Sequence, residues 1–121
     1  MAERRQHLIK ASDVPSFEHT PGGSVRFFPG DEHDLGMVSV AMSSNPPGGG
    51  AREHRHPCRE VFVVYEGRGV YTIGGTDVIA EAGDIVVVPP NTWHRFRADG
   101  DAPLRHVAAF DSAHVDIELK P

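Results

Sequence analysis

The residues with the clearest chemical potential lie in the segment 53–60, which reads EHRHPCRE. His54 and His56 are two residues apart, and on a β-strand such residues point toward the same face. Glu60 has the same parity, although Pro57 interrupts the strand between them. Neutral imidazoles and ionised carboxylates are good ligands for first-row transition metals. The spacing therefore favours half of a metal site.

A second segment supplies a histidine that could complete such a site. His94 lies in GDIVVVPPNTWHRF, directly after an apolar run and a Pro-Pro turn. Together with His54, His56 and Glu60 it would form a mononuclear site of three imidazoles and one carboxylate. Four protein ligands leave up to two positions of an octahedron open for water, dioxygen or a chelating substrate.

Short strands separated by turns must position these residues. Gly occurs 13 times and Pro 10 times, and no segment shows a sustained helical period. Between these residues lie runs rich in Val, Ile, Phe and Tyr, each bounded by turn residues. The runs are SVRFF, MVSVAM, EVFVVYEG, GVYTIGG, DVIAEAG, DIVVVPP, WHRFRA and LRHVAAF. Many short strands predict an all-β sandwich or small barrel, in one domain of 121 residues.

The first histidine segment resembles the first motif of the cupin superfamily. That motif is a glycine, five residues, His-x-His, three or four residues, Glu, six residues and Gly. Every position is filled in this chain, at Gly48, His54, His56, Glu60 and Gly67.

The second segment resembles the second cupin motif, which is a glycine, five residues, Pro-x-Gly, two residues, His, three residues and Asn. Gly83, Pro89 and His94 match it, whereas Asn91 replaces a glycine and Ala98 replaces the asparagine. Asn tolerates left-handed backbone better than most residues, so we expect the turn to survive. The family's final asparagine is not a metal ligand, so its replacement should not remove the metal.

The resemblance covers residues 48–98 and implies an all-β double-stranded β-helix, or jelly roll, in a single domain. The expected boundaries are an irregular N-terminal arm or edge strand at 1–30 and a cupin β-barrel at 31–121, with motif one at 48–67 and motif two at 83–98. It also implies one divalent transition metal per chain, either Fe(II), Mn(II), Zn(II), Ni(II), Cu(II) or Co(II). A homodimer is common in the family.

Two side chains are candidates for proton transfer. Glu60, as a weakly held carboxylate ligand, could detach from the metal and act as a base. His106 lies in LRHVAAF, where Leu104, His106, Ala108 and Phe110 share a face that we expect to point inward. His106 could be a general acid or base facing the pocket, a group that supports the metal ligands, or a satisfied core histidine.

Other side chains are assigned to turns, packing or the surface. Cys58 could be a fifth ligand or a redox-sensitive thiol, but we favour a turn residue that points elsewhere. Arg95 and Arg97 should lie outside the barrel, on the face opposite to His94. Candidates for the barrel lining are Phe62, Val64, Tyr71, Ile73, Val86, Val88, Trp93 and Phe96. Surface positions are expected for His7, His19, His33 and His114.

Composition and charge exclude several function classes. The net charge is -5 and no stretch is strongly basic, which argues against nucleic acid as the main partner. No apolar run approaches membrane-spanning length, and the N-terminus lacks the apolar core of a signal peptide. The only cysteine, Cys58, excludes an internal disulfide framework and fits a reducing compartment. We therefore expect a cytoplasmic protein with a small-molecule ligand or substrate.

Three function hypotheses remain open. The first is a metal-dependent enzyme acting on a small organic molecule, either as an oxygenase or as a Lewis-acid isomerase, cyclase or lyase. The second is a non-catalytic module that binds or senses a small ligand or a metal. The third is a metal-free sugar isomerase or epimerase that uses His and Tyr as acid and base, and the complete set of four ligands argues against it. The fold alone does not decide among them.

Overall fold

The computed structural model describes residues 7–121. Most of the regular secondary structure in these residues is β-strand. Strands β1 to β11 are Ser16–Phe17, Ser24–Phe28, Ser39–Asn45, Gly50–Arg55, Glu60–Glu66, Arg68–Ile73, Thr76–Glu81, Ile85–Val88, His94–Ala98, Leu104–Phe110 and Glu118–Leu119. A 3-10 turn, Ala11–Asp13, and a one-turn helix α1, Gly30–His33, lie in the N-terminal part. The first six residues of the expected N-terminal arm lie outside the described residues.

The strands form two antiparallel sheets. The six-stranded sheet has the order β1-β2-β3-β10-β5-β8, and the five-stranded sheet has the order β11-β4-β9-β6-β7. Neighbouring strands are often distant along the chain, since β3 pairs with β10 and β4 pairs with β9. The predicted all-β jelly roll is confirmed.

Alternation along each strand separates the core from the outer surface. In β5, Glu60, Phe62 and Val64 are buried, while Val63 and Tyr65, which have the opposite parity, are exposed. The same period of two places Leu104, His106, Ala108 and Phe110 of β10 inside. The inward faces of the two sheets share one aromatic and aliphatic core. Motif residues with the correct parity are therefore directed into the space between the sheets.

The N-terminal region contributes to the larger sheet. β2 pairs with β3 over five residue pairs, and β1 forms the edge next to β2. The domain boundary at residue 30 stays a prediction. Within residues 7–121, no helix is long and apolar enough to cross a membrane.

A tight turn connects the two histidine segments in space. Asn91 has a φ of 58°, the left-handed conformation for which the motif otherwise uses glycine. Its backbone N–H donates to the carbonyl oxygen of His56 at 2.7 Å. The expectation that the turn survives with Asn91 is confirmed, and the turn joins the loop before β9 directly to the end of β4.

Candidate metal centre

The structure brings together the four side chains that the two motifs predict as ligands. One ligand atom from each of His54, His56, Glu60 and His94 lies within 4.8 Å of the other three, and all four residues are buried. His54 pairs with His94 across β4 and β9, His56 follows β4 directly, and Glu60 begins β5. Residues on different strands thus converge because the two sheets face each other.

Each imidazole of the cluster is oriented by a backbone carbonyl. The Nδ1 atoms of His54, His56 and His94 lie 2.7, 2.8 and 2.8 Å from the carbonyl oxygens of Arg52, Asp116 and Thr92, respectively. A carbonyl oxygen only accepts hydrogen bonds, so each Nδ1 carries the hydrogen. The lone pair of each neutral ring is then on Nε2, the tautomer that a metal-binding histidine with such a partner adopts.

Glu60 lies between the Nε2 atoms of two of these histidines. Its Oε1 is 3.0 Å from Nε2 of His94 and 3.4 Å from Nε2 of His56. Because Nδ1 is already protonated, a ring that donates to Glu60 from Nε2 carries a second proton. A cation at the same point would replace such protons, so the donor set fits a divalent metal ion.

The pKa values of the cluster follow from burial and from these contacts. Burial acts to raise the pKa of Glu60, but the hydrogen bonds from His56 and His94 outweigh it and lower this pKa. Burial acts to lower the pKa of His56, but its contacts with Glu60 and with the Asp116 carbonyl raise it above 6.5. The pKa of His54 is lowered to about 4, mainly by burial. His54 is therefore neutral at physiological pH, as a ligand must be.

An apolar cavity of about 530 Å³ adjoins the cluster. His54, His56 and Glu60 form part of its wall, and residues of both sheets and of the C-terminal segment form the rest. Five phenylalanines line it: Phe17, Phe27, Phe62, Phe96 and Phe110. Its size suits a small organic molecule.

His106 lies in the wall of the same cavity. It is 2% exposed, and its Nδ1 is 2.7 Å from the hydroxyl oxygen of Tyr71. Burial lowers the pKa of His106 to about 4, so the ring is neutral at physiological pH. The expectation that its face of β10 points inward is confirmed, and its catalytic role stays a prediction.

His19 was missed by the sequence interpretation, which placed it at the surface. It is half-buried, lines the cavity and contacts the side-chain oxygen of the fully buried Asn45 through Nε2 at 2.5 Å. No spacing signal identifies it, because the contact joins residues 26 positions apart. His33 is also half-buried, with its ring edge against Phe28. His7 and His114 are exposed, as expected.

Two other predictions have clear outcomes. Cys58 is half-buried, packs against the core and is absent from the group of converging ligand atoms, in agreement with a turn residue. Burial, followed by the charge of Asp111, raises the pKa of its thiol, so it is a poor nucleophile. Trp93 was wrongly predicted to line the barrel, since its ring is half-buried beneath the guanidinium of Arg55 at 4.4 Å.

The other lining candidates lie in the core or against it, as predicted: Phe62, Val64, Tyr71, Ile73, Val86, Val88 and Phe96. Arg95 and Arg97 are exposed, whereas His94, Phe96 and Ala98, which alternate with them in β9, are buried, so their predicted outward direction is confirmed. These two arginines border a separate cavity of about 540 Å³ that includes none of the four ligand side chains. The candidate metal centre and the arginine-lined cavity are thus distinct.

Known proteins resemble this chain in sequence and in fold. Residues 41–110 match the family model of the cupin domain. The chain is 36% identical to the gentisate 1,2-dioxygenase of Ralstonia sp over 91 residues, which cover 67% of the chain but 26% of that enzyme. It is 31% identical to Protein SchB of Streptomyces halstedii, over 98% of the chain and 91% of that protein.

A solved structure shares the fold. The oxalate decarboxylase of Lactobacillus farciminis superposes with a TM-score of 0.81 at 22% identity, over 89% of the chain and 34% of the decarboxylase. The chain thus spans about a quarter of the dioxygenase and a third of the decarboxylase, and most of Protein SchB.

Proposed function

Because this chain belongs to the cupin family, we propose that it binds one divalent transition metal ion at His54, His56, Glu60 and His94 and acts as an enzyme on a small organic molecule. The observation that carries the proposal is the convergence of three imidazoles and one buried carboxylate, with one ligand atom from each within 4.8 Å of the others and each Nδ1 held by a backbone carbonyl. Imidazole and carboxylate ligands are compatible with Fe(II), Mn(II), Zn(II), Ni(II), Cu(II) and Co(II).

The bound ion would supply Lewis acidity or, with a redox-active metal, the ability to activate dioxygen. The protein's own contribution is orientation, exclusion of water and proton transfer. The carbonyls of Arg52, Thr92 and Asp116 hold the three rings, and the apolar cavity wall keeps bulk water away from a bound substrate. Glu60 is ionised at neutral pH, so it can bind the ion or accept a proton from a substrate hydroxyl.

Within this class we favour an oxygenase. The likeness to a gentisate 1,2-dioxygenase supports it, although the chain spans only 26% of that enzyme. An isomerase, cyclase or lyase would use the same centre without dioxygen. A module that binds a ligand or metal without turnover is the second candidate, and the apolar cavity beside the cluster fits it equally well. A metal-free epimerase would leave the converging Nε2 lone pairs without a role.

Elemental analysis tests the proposed metal centre. The protein is purified without oxygen and without a metal-affinity step, alongside His94→Ala and the control His114→Ala. We expect about one metal ion per chain in the wild type and in the control, because His114 is exposed and outside the cluster. The His94→Ala variant should lose most of it. Absence of bound metal from all three proteins, even after reconstitution, contradicts the proposal.

Substrate-dependent oxygen consumption by the metal-loaded protein then separates the oxygenase from the other metal-dependent reactions. Candidate substrates are screened with and without Fe(II). Turnover under strictly anaerobic conditions would favour an isomerase, cyclase or lyase instead.

We also propose a homodimer that buries the outer face of the six-stranded sheet. Strand register places eight apolar side chains in two adjacent rows on this face, here called the outer stripe: Met42, Val107, Val63 and Ile85 in one row, and Val40, Ala109, Val61 and Val87 in the other. No charged side chain interrupts either row. Contiguous exposed apolar surface of this kind is typical of interfaces, and a second copy would cover it by two-fold packing of sheet on sheet.

A further inference from the structure

The wall of the cavity contains a polar pair that the metal centre does not use. His106 contacts Tyr71 through Nδ1 at 2.7 Å, and both residues are almost completely buried. His106 lines the cavity, whereas Tyr71 lies behind it in the core. The Nδ1 edge of the ring thus points away from the cavity, and the opposite edge, which carries Nε2, faces it.

Hydrogen-bond satisfaction determines the tautomer of His106. The hydroxyl of Tyr71 has one donor hydrogen, and His106 Nδ1 is its one hydrogen-bond partner among residues 7–121. A buried hydroxyl that does not donate is costly, so Tyr71 donates to Nδ1. The neutral ring then carries its hydrogen on Nε2. His106 therefore presents an N–H donor to the cavity, with no protein acceptor among the described residues.

Aromatic rings surround this donor. The rings of Phe62 and Phe96 lie 4.7 and 4.6 Å from the ring of His106, measured between centroids. Phe17, Phe27 and Phe110 line other parts of the same cavity. Edge-to-face and offset contacts of such rings favour a planar aromatic guest.

Charge argues against a small dianionic ligand. Among the cavity-lining side chains with permanent formal charge, Arg52 is the cation and Glu60 the anion. In the metal-free protein, two negative charges transferred into these apolar surroundings would lack a compensating cation beyond Arg52, which is unfavourable. A planar molecule with one or two oxygen atoms fits the lining better than a compact aliphatic diacid.

We propose that the cavity binds an aromatic molecule bearing an oxygen acceptor, such as a phenol, phenolate or aryl carbonyl, and that His106 donates to this oxygen from Nε2. Tyr71 is a positioning residue, because it selects the tautomer without touching the ligand. The inference rests on the proposed function in one respect, namely that the ligand lies beside the metal centre, in the cavity that both share.

Calorimetric titration with 4-nitrocatechol and with oxalate tests the ligand class, in metal-loaded and in metal-free protein. We expect 4-nitrocatechol to bind more tightly than oxalate in the metal-free protein, where no metal ion compensates the charge of oxalate. The His106→Phe variant keeps an aromatic ring but removes the donor, so it should bind 4-nitrocatechol about tenfold more weakly. Equal or tighter binding of oxalate to the metal-free protein would overturn the assignment of an aromatic ligand.

Tyr71→Phe tests the positioning role, with Tyr65→Phe as its control because Tyr65 is 54% exposed on the outer surface. We expect weaker binding in Tyr71→Phe and no change in Tyr65→Phe, with unchanged metal content in both. Nitrogen-15 NMR of the metal-free wild type gives an independent measurement. It should show His106 protonated at Nε2, with a shift of this N–H on ligand addition. A proton on Nδ1, or unchanged affinity in both His106→Phe and Tyr71→Phe, overturns the proposal.

These outcomes separate the two proposals. If no metal binds but His106→Phe still weakens 4-nitrocatechol binding to the metal-free protein, the metal centre is wrong and the ligand site stands. If metal binds stoichiometrically but the aromatic probe is not preferred, the ligand class is wrong and the metal centre stands.

Discussion

Three backbone carbonyls decide which nitrogen each histidine of the candidate centre offers to a metal ion. Those of Arg52 and Thr92 are each two residues from the ring that they orient, so the local backbone supplies them. The carbonyl of Asp116 is 60 residues from His56 and arrives with the C-terminal segment. At the scale of the residue, the chemistry of the centre thus depends on main-chain acceptors as much as on its side chains.

The raised pKa of His56 predicts a pH-dependent metal affinity. In the metal-free protein the pKa of His56 lies above 6.5. The contribution of protonated His56 to folding stability is therefore fully present below pH 6.5, and it is lost as the pH rises through the raised pKa. A metal ion must displace the proton. We therefore expect Zn(II) affinity to fall as the pH is lowered through this pKa, by up to about tenfold per pH unit for one proton.

Competition with a chelator between about pH 6 and pH 8 measures this dependence, since unperturbed histidines titrate in this range. The His114→Ala variant should show the same pH profile, because His114 is 71% exposed and contacts Asp31 and Asp116 rather than the cluster. An affinity that does not change with pH would show that no proton is displaced.

The turn before β9 connects the second histidine motif to the first by a backbone hydrogen bond. Asn91 accepts a left-handed φ of 58°, and its N–H bonds to the carbonyl of His56. The turn is followed by His94, which pairs with His54 across the sheet. At the scale of the element, Asn91 adopts the left-handed backbone conformation usually reserved for glycine, and its N–H therefore links the two segments that carry the predicted metal ligands.

Substitution at Asn91 should separate backbone strain from side-chain chemistry. Asn91→Val places a β-branched residue at positive φ and should destabilise the fold by about 1–2 kcal/mol. Asn91→Gly should be tolerated, because glycine adopts this conformation without steric cost. Urea unfolding of the metal-free variants measures both. Equal stability of the two variants would mean that the conformation at residue 91 is not restrictive.

The C-terminal segment closes the cavity from one side. β11 pairs with β4, and Val115, Ile117 and Leu119 contribute to the cavity wall. The same segment supplies the carbonyl that orients His56. One short segment therefore both forms part of the cavity wall and orients the ring of a predicted metal ligand.

At the scale of the whole molecule, the two sheets differ in what their outer faces expose. The six-stranded sheet carries the outer stripe, in which Ile85 is 62% and Val87 47% exposed. The five-stranded sheet exposes charged side chains such as Arg95 and Arg97 between its inward residues. A copy docked on the outer stripe would leave the cavity between the sheets accessible.

Charge placed in the outer stripe should dissociate the proposed dimer. Val63 and Val78 are both 40% exposed, but Val63 lies in the outer stripe and Val78 in β7 of the other sheet. We expect Val63→Glu to be monomeric and Val78→Glu to remain dimeric in analytical ultracentrifugation, because a buried unpaired carboxylate is unfavourable. A monomeric wild type at micromolar concentration, or a dimeric Val63→Glu, would contradict this interface.

Local spacing was sufficient for the parts of this protein that depend on one strand or one turn. The period of two in His54 and His56, the matched motif around His94, and the tolerance of Asn91 for positive φ were all readable along the chain. The all-β fold followed from short apolar runs between turn residues. These features are local because side-chain direction and turn conformation depend on immediate neighbours.

Only the tertiary structure decided which distant residues meet. The contact of His19 with Asn45, the pairing of His106 with Tyr71, and the carbonyl of Asp116 behind His56 span 26, 35 and 60 residues. Sequence spacing carries no signal for such contacts, because they arise from the packing of one sheet on the other and from the course of the terminal segments. The candidate ligand set was therefore predicted from the sequence, whereas the hydrogen-bond partners of the histidines and the cavity were decided by the fold.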